Sequence, residues 1–254
     1  TAGLRTLLSN LTGRFLASGT DQETDYTSSI LCLDTRFGGG KTHDLIASYH
    51  LAEHAENIGT LNDHLLPNDE SSAAAYQEAV EDGLSVDSAV FVGGHVDARN
   101  ARSDRHDPNA PNTKTMWGEI AYQLYGTKGY EELKEYDQNR NAPGQNKLKD
   151  LFDIGDGPAL ILIDEIAAYL ESASAIEVGS ATLASQTLSF VLSLLETASE
   201  SDDVTIVYSI ADTAFEEEAE EVRTLIDELN QIGRRQHKTV TPTDESEVGQ
   251  VLQH

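Results

Sequence analysis

The residues best suited to chemistry lie in one short segment, Thr-Arg-Phe-Gly-Gly-Gly-Lys-Thr at residues 35–42. Its glycines allow a tight turn whose backbone N–H groups point inward, which is the arrangement that cradles phosphate oxygens. Lys41 can reach the β- and γ-phosphates of a nucleotide, and the hydroxyl of Thr42 can bind Mg²⁺. The pattern is that of a P-loop except at its first position, where Thr35 stands in place of the usual glycine. The candidate phosphate contacts are Thr35, Arg36, Phe37, Gly38, Gly39, Gly40, Lys41, Thr42 and His43.

A second chemical pair closes an apolar run, Leu-Ile-Leu-Ile-Asp-Glu at residues 160–165. Asp164 ends a predicted buried strand and would hold Mg²⁺, mostly through water. Glu165 follows it, and we expect its side chain on the other side of the pleat. There it could orient and deprotonate an attacking water. Thr42 and Asp164 are therefore the predicted metal residues, with Lys41 and Glu165 in catalytic roles.

Alternating strands and helices are predicted around these two motifs. Apolar runs of strand length occupy residues 28–34, 89–93, 158–165 and 203–209, and a fifth strand is predicted over the more polar residues 237–242. Helical spacing is found near the start of the chain and over residues 41–57, 71–80, 115–125, 145–152, 181–199 and 215–231. This alternation predicts an α/β fold of three layers, with a mainly parallel five-stranded sheet and helices on both faces. The glycine-rich turn then falls between a strand and a helix, as a P-loop requires.

The composition is strongly acidic, because 44 Asp and Glu oppose 17 Lys and Arg and give a formal charge of −27 in 254 residues. The acidic residues are spread along the chain, which favours adaptation to high salt, where self-repulsion is screened. The other interpretation is that this charge excludes nucleic acid and anionic membranes as partners.

Cysteine and methionine usage adds two expectations. The single cysteine, Cys32, indicates a reducing compartment, so we expect a cytoplasmic protein. No apolar run approaches the ~20 residues that span a bilayer, so no membrane partner is expected. Since Met116 is the only methionine and Thr1 is not a natural start, we expect a piece of a longer protein.

Taken together, the two motifs resemble the P-loop ATPases that insert an extra strand between the P-loop strand and the metal-binding strand. The AAA+ ATPases are the nearest broad group. The resemblance implies that Ser209, at the end of the fourth strand, senses the γ-phosphate. It also implies that Arg234 or Arg235 reaches the nucleotide of a neighbouring subunit in a homo-oligomer or larger complex. From the residues alone, the alternatives are a strand-end hydroxyl and charges that complement a helix dipole.

Three longer segments narrow the resemblance: FGGGKTH at 37–43, MWGEIAYQLYG at 116–126 and LILIDEIAAYL at 160–170. They look like an uncharacterised family of large ATPases that occur beside DNA methyltransferases in prokaryotic anti-phage islands. The resemblance implies a Mg²⁺-dependent ATPase module of a phage-defence system, with DNA and methyltransferase-type proteins as candidate partners. The implied division is an N-terminal helix and loop (1–27), an ATPase core (28–241) and the start of a lid domain (242–254).

Two other functions fit the same residues. One is a nucleotide-gated switch or scaffold that hydrolyses ATP slowly or not at all. The other is an ATP-driven nucleic-acid motor. The preference for ATP over GTP rests on the resemblance, because no residue that would read adenine stands out.

Overall fold

The central element of the fold is a five-stranded sheet. The structure is a computed structural model that describes residues 1–18, 28–35, 40–53, 70–99, 110–211 and 238–240. The sheet contains β1 (Ile30–Thr35), β2 (Asp87–Val92), β3 (Ala159–Asp164), β6 (Val204–Ala211) and β7 (Lys238–Val240). All neighbours pair in parallel in the order β2-β3-β6-β1-β7. The strand β6 therefore lies between β1 and β3, where the resemblance implied an extra strand.

Seven α-helices lie within the described residues. They are α1 (Ala2–Ala17), α2 (Lys41–Glu53), α3 (Glu70–Glu81), α4 (Met116–Asn139), α5 (Gln145–Phe152), α6 (Ile166–Ser174) and α7 (Leu183–Ser199). A single 3₁₀ turn, Gly93–His95, follows β2, and a short antiparallel hairpin joins β4 (Glu177–Val178) to β5 (Ala181–Thr182). No helix of the described part of the chain is both long and apolar enough to cross a bilayer.

The sheet separates two hydrophobic clusters. On one face, Leu31 and Leu33 of β1 pack with apolar residues of α1, α2 and α3. On the other face, Ile30 and Cys32 of the same strand pack with residues of α4, α5, α6 and α7. Every side chain of β3 is buried, as expected for a central strand that is covered on both faces. The three-layer α/β fold predicted from the sequence is confirmed.

Hydrogen bonds connect α1 to the edge of the sheet where the parallel strands begin. Asn10 exchanges two hydrogen bonds of 2.9 Å with the backbone of Ser28. The buried guanidinium of Arg14 donates to the carbonyl oxygens of Ser201 (2.8 Å) and Val204 (3.1 Å). The end of α1 that carries Arg14 thus lies where β6 begins.

Several features differ from the predicted elements. The helix predicted over 115–125 does not end there but is kinked at Gly126 and continues to Asn139. Gly126 has φ 59° and ψ −141°, a combination open to glycine and rarely adopted by other residues. The last long helix begins at Leu183 rather than 181, since Thr182 belongs to β5 and caps the helix reciprocally with Ser185. Finally, α6 was not predicted from the sequence.

Candidate functional site

Four of the predicted site residues that the structure describes meet near the carboxyl ends of three parallel strands. In the sheet register Ser209 of β6 lies opposite Leu33 of β1, and Asp164 of β3 lies opposite Val92 of β2. The segment that follows β1 leads to α2, which begins at Lys41. Ligand sites of open α/β sheets form at this edge, outside the carboxyl ends of the strands.

Asp164 is the centre of the site. One carboxylate oxygen, Oδ1, accepts hydrogen bonds from the hydroxyl of Ser209 and from the backbone N–H of Glu165 (3.0 Å). The other, Oδ2, lies 3.3 Å from the hydroxyl of Thr42, which donates to it. Asp164 is only 9% exposed and Ser209 3% exposed. Three donors from three different elements therefore fix the orientation of one carboxylate.

The start of α2 brings Thr42 to this carboxylate. Gly40 precedes the helix with φ 85°, a conformation that glycine adopts without strain, and its carbonyl oxygen accepts from Asp44 N at 2.9 Å. The first N–H groups of a helix have no acceptor within it, and the helix dipole adds partial positive charge there. Lys41 is half-buried, and Thr42 and His43 are exposed. The helix start can therefore receive an anion.

Glu165 has a different geometry from the one expected. It is not the next residue of the pleated strand: β3 ends at Asp164, and Glu165 is the N-cap of α6 in the left-handed conformation (φ 51°, ψ 37°). Such a conformation costs a non-glycine residue on the order of 1 kcal/mol. Its side chain is exposed, and its carbonyl oxygen accepts from Ala168 N at 3.1 Å. A tight turn, rather than strand alternation, therefore sets the direction of the Glu165 side chain.

A cleft of about 400 Å³ opens beside Thr42 and Asp164. Most of its walls are apolar and come from α2, β2 and β3. Its polar lining besides those two residues comes from His95 and Gln123. The lining residues are Thr42, Leu45, Ile46, Tyr49, Val90, Val92, His95, Val96, Gln123, Leu162 and Asp164.

A buried carboxyl group lies one turn into α2. Asp44 is 2% exposed, and its Oδ2 has no hydrogen-bond partner in the described structure. Burial raises the pKa of Asp44 to about 6. Sequence reasoning missed this residue, although an acid four residues into a P-loop helix could have been noticed.

The glycine turn, Gly93–His95, is the second feature that sequence reasoning missed. It continues β2 at the same sheet edge and lies directly against Glu165. The sequence did contain a signal for it, because Gly93 ends the strand predicted over 89–93 and Gly94 follows directly. Glycines at the end of a strand often mark a place where another group approaches the backbone closely.

The structure brings together four of the predicted site residues: Thr42, Asp164, Glu165 and Ser209. Thr35 is the last residue of β1. Six predicted residues lie outside the described part of the chain, namely Arg36, Phe37, Gly38, Gly39, Arg234 and Arg235.

No cluster of three or more His, Cys, Asp or Glu side chains that could hold a metal occurs among the described residues. The site does offer one hydroxyl and one carboxylate, both hard oxygen donors. This is a donor set that Mg²⁺ accepts when substrate phosphates and water complete its coordination.

Comparison with protein-family models gives a match over most of the chain. A family model described as the DUF499 N-terminal domain matches residues 1–240. No curated protein matches the chain at a significant level.

Proposed function

We propose that this chain, which belongs to the family of DUF499 N-terminal domains, binds ATP with Mg²⁺ and hydrolyses its γ-phosphate. The family description states no activity, so the proposal is built on the site. One observation carries it: the hydroxyl of Thr42 lies 3.3 Å from the carboxylate of Asp164, although 122 residues separate them in the chain. The two motifs that the sequence offers separately are therefore halves of one site.

Thr42 and Asp164 would hold a magnesium ion, since their hydroxyl and carboxylate oxygens are hard donors that lie 3.3 Å apart. Asp164 would act mostly through water. When bound, the ion would neutralise charge that develops on the phosphate oxygens.

The remaining roles follow from position. The N-terminus of α2, with the Lys41 ammonium, would bind the phosphates and offset their negative charge. Glu165, which is exposed and follows Asp164 directly in the chain, would orient and deprotonate the attacking water. Ser209 would hold Asp164 in place through its hydroxyl.

The test compares two site variants with two matched controls. We expect Lys41→Ala to weaken ATP binding at least about tenfold, because a charged partner is lost. We expect Glu165→Gln to bind ATP with parental affinity and to hydrolyse it about 10²–10⁴-fold more slowly. The controls are Lys134→Ala and Glu131→Gln, which change an exposed ion pair of 2.7 Å on α4.

Binding is measured by calorimetry with Mg²⁺ and a non-hydrolysable ATP analogue, and hydrolysis by phosphate release, both in molar KCl. Lack of nucleotide binding by the parent chain contradicts the proposal, and so does parental hydrolysis by Glu165→Gln. If the parent chain retains bound ATP unhydrolysed for hours, the nucleotide-gated switch replaces the ATPase.

Assembly and biological context are further proposals that rest on the resemblance. They are a homo-oligomer or larger complex, a phage-defence role in the cytoplasm, and DNA or methyltransferase-type proteins as partners. Light scattering with and without the ATP analogue tests the first, and DNA-stimulated hydrolysis in high salt tests a nucleic-acid motor.

A further inference from the structure

We propose that the glycine turn (Gly93–His95) positions the Glu165 carboxylate, and that the missing side chain of Gly94 determines where that carboxylate lies. The inference rests on the proposed function, since it assigns a positioning role relative to the candidate general base. The glycine turn comes from β2, so the position of a residue that follows β3 is controlled from the neighbouring strand.

The contact at Gly94 involves the reactive end of Glu165. An ideal Cβ placed on Gly94 would lie 2.5 Å from Glu165 Oε2 and 3.6 Å from its Cδ. Such a Cβ contact does not occur in real structures, so the carboxylate would have to move by about 0.9 Å to reach the 3.4 Å of ordinary contact. The carboxylate is the mobile end of an exposed side chain, and it can move without disturbing the fold.

The contact at Gly93 involves the backbone of Glu165. A Cβ there would lie 2.1 Å from the Glu165 carbonyl oxygen and 3.1 Å from the Cβ of Tyr169. Both atoms belong to the first turn of α6, which cannot yield as a side chain can. Gly93 therefore allows the turn and α6 to pack together, whereas Gly94 acts on the carboxylate alone.

The backbone conformation at positions 93 and 94 does not itself require glycine. The described glycines with positive φ are Gly40, Gly83, Gly126 and Gly179, and the glycine turn is not among them. Alanine fits the backbone at position 94, and such a replacement tends to stabilise a protein by restricting its unfolded chain. The space that Gly94 leaves is thus used by Glu165, not by the main chain.

Two further contacts hold the backbone of Glu165 while its side chain lies over Gly94. Its N–H donates to Asp164 Oδ1 at 3.0 Å, and its carbonyl accepts from Ala168 N. The residue cannot follow a displaced carboxylate by rotating its backbone without losing these bonds. A substitution at Gly94 therefore changes the side-chain torsions of Glu165 and misplaces its oxygens relative to the site.

The test is Gly94→Ala, with Gly144→Ala as the matched control. Gly144 also has negative φ (−85°), and a Cβ there meets nothing within 4 Å. Because a displacement near 1 Å can cost about 100-fold, we expect Gly94→Ala to lower kcat for ATP about 10- to 100-fold. We expect the dissociation constant of the ATP analogue to change less than twofold and the melting temperature not to fall. The control should keep parental kcat.

A second variant separates positioning from a general structural effect. Glu165→Asp shortens the side chain by one methylene and takes its oxygens away from position 94. Adding Gly94→Ala to Glu165→Asp should therefore lower kcat less than threefold. A full 10- to 100-fold loss in that background would overturn the inference, since the effect would not pass through the Glu165 carboxylate.

The two possible failures are distinguishable. Parental hydrolysis by Glu165→Gln refutes the proposed function and this inference together. Parental hydrolysis by Gly94→Ala alongside an inactive Glu165→Gln refutes the inference alone. Loss of nucleotide affinity together with a lower melting temperature in Gly94→Ala would also overturn it, because the glycine would then be structural.

Discussion

The hydrogen bond from Ser209 to Asp164 makes a prediction that needs no nucleotide. Both residues are buried, and Asp164 Oδ1 accepts the Ser209 hydroxyl as one of its two donors. A hydrogen bond to a charged group contributes about 1.5–3 kcal/mol. Ser209→Ala should therefore lower the free energy of unfolding by about that amount, or the melting temperature by about 3–12 °C for a chain of this size. A serine that only sensed a phosphate would leave the stability of the nucleotide-free protein unchanged.

The measurement is thermal and urea unfolding in molar KCl without nucleotide. Ser189→Ala is the control, since its exposed hydroxyl bonds only to a carbonyl one turn earlier in α7, and its effect should stay within about 0.5 kcal/mol. Ser209→Ala is then repeated in an Asp164→Ala background. The reasoning fails if the coupling between the two positions is below about 0.5 kcal/mol, because the hydroxyl would then stabilise the fold through something other than Asp164.

Three further outcomes are expected elsewhere in the molecule. Burial raises the pKa of Asp137 although Thr115 and Lys114 donate to it, so the native state binds this proton more tightly than the unfolded chain. The stability that this bound proton contributes is therefore lost as pH rises from the ordinary Asp pKa through the raised pKa of Asp137. Asp137→Asn should make the free energy of unfolding depend less on pH, which urea unfolding between pH 4 and 8 measures. Leu7 of α1 is 0% exposed, so Leu7→Ala should lower the free energy of unfolding by about 2–5 kcal/mol, and a loss below 1 kcal/mol would contradict the packing described. Because the formal charge is −27, the melting temperature should rise between about 0.1 and 1 M KCl as the screening length falls from about 10 to 3 Å, and a constant value would remove the salt-adaptation hypothesis.

Four of the strands were predictable because each contains a short apolar run between polar segments, whereas β7 (Lys238–Val240) lies in a polar segment with a single valine. The five predicted runs coincide with the five strands of the sheet to within a few residues at either end. Their parallel arrangement follows from the helices predicted between them, and it also places Asp164 and Ser209 at one edge. The approach of Thr42 to Asp164 was predictable for the same reason, since α2 starts where β1 ends.

Short or abruptly joined elements were not predictable. Each strand of the β4–β5 hairpin has two residues, too few to show a period. α6 was missed because Ile166 follows the apolar strand β3 after a single residue, with no capping side chain to mark a boundary. Local patterns fail where one element passes into the next without a loop.

The direction of the Glu165 side chain was unpredictable for the same reason, since Glu165 lies where β3 passes into α6 without a loop. This matters more than a missed helix, because Glu165 is the candidate general base. Glutamate does not favour the left-handed conformation, which glycine, Asn and Asp adopt more readily, so its own propensity argues against the turn. Two local contacts compensate in part, since Asp164 accepts its N–H and Ala168 donates to its carbonyl. The third is tertiary, because the glycine turn that leaves room for both backbone and carboxylate follows β2 and lies outside any short window of sequence around residue 165. An acidic residue that follows a strand can therefore be recognised from its position as a candidate general base. The orientation of its carboxylate, however, depends on the residues at the end of the neighbouring strand.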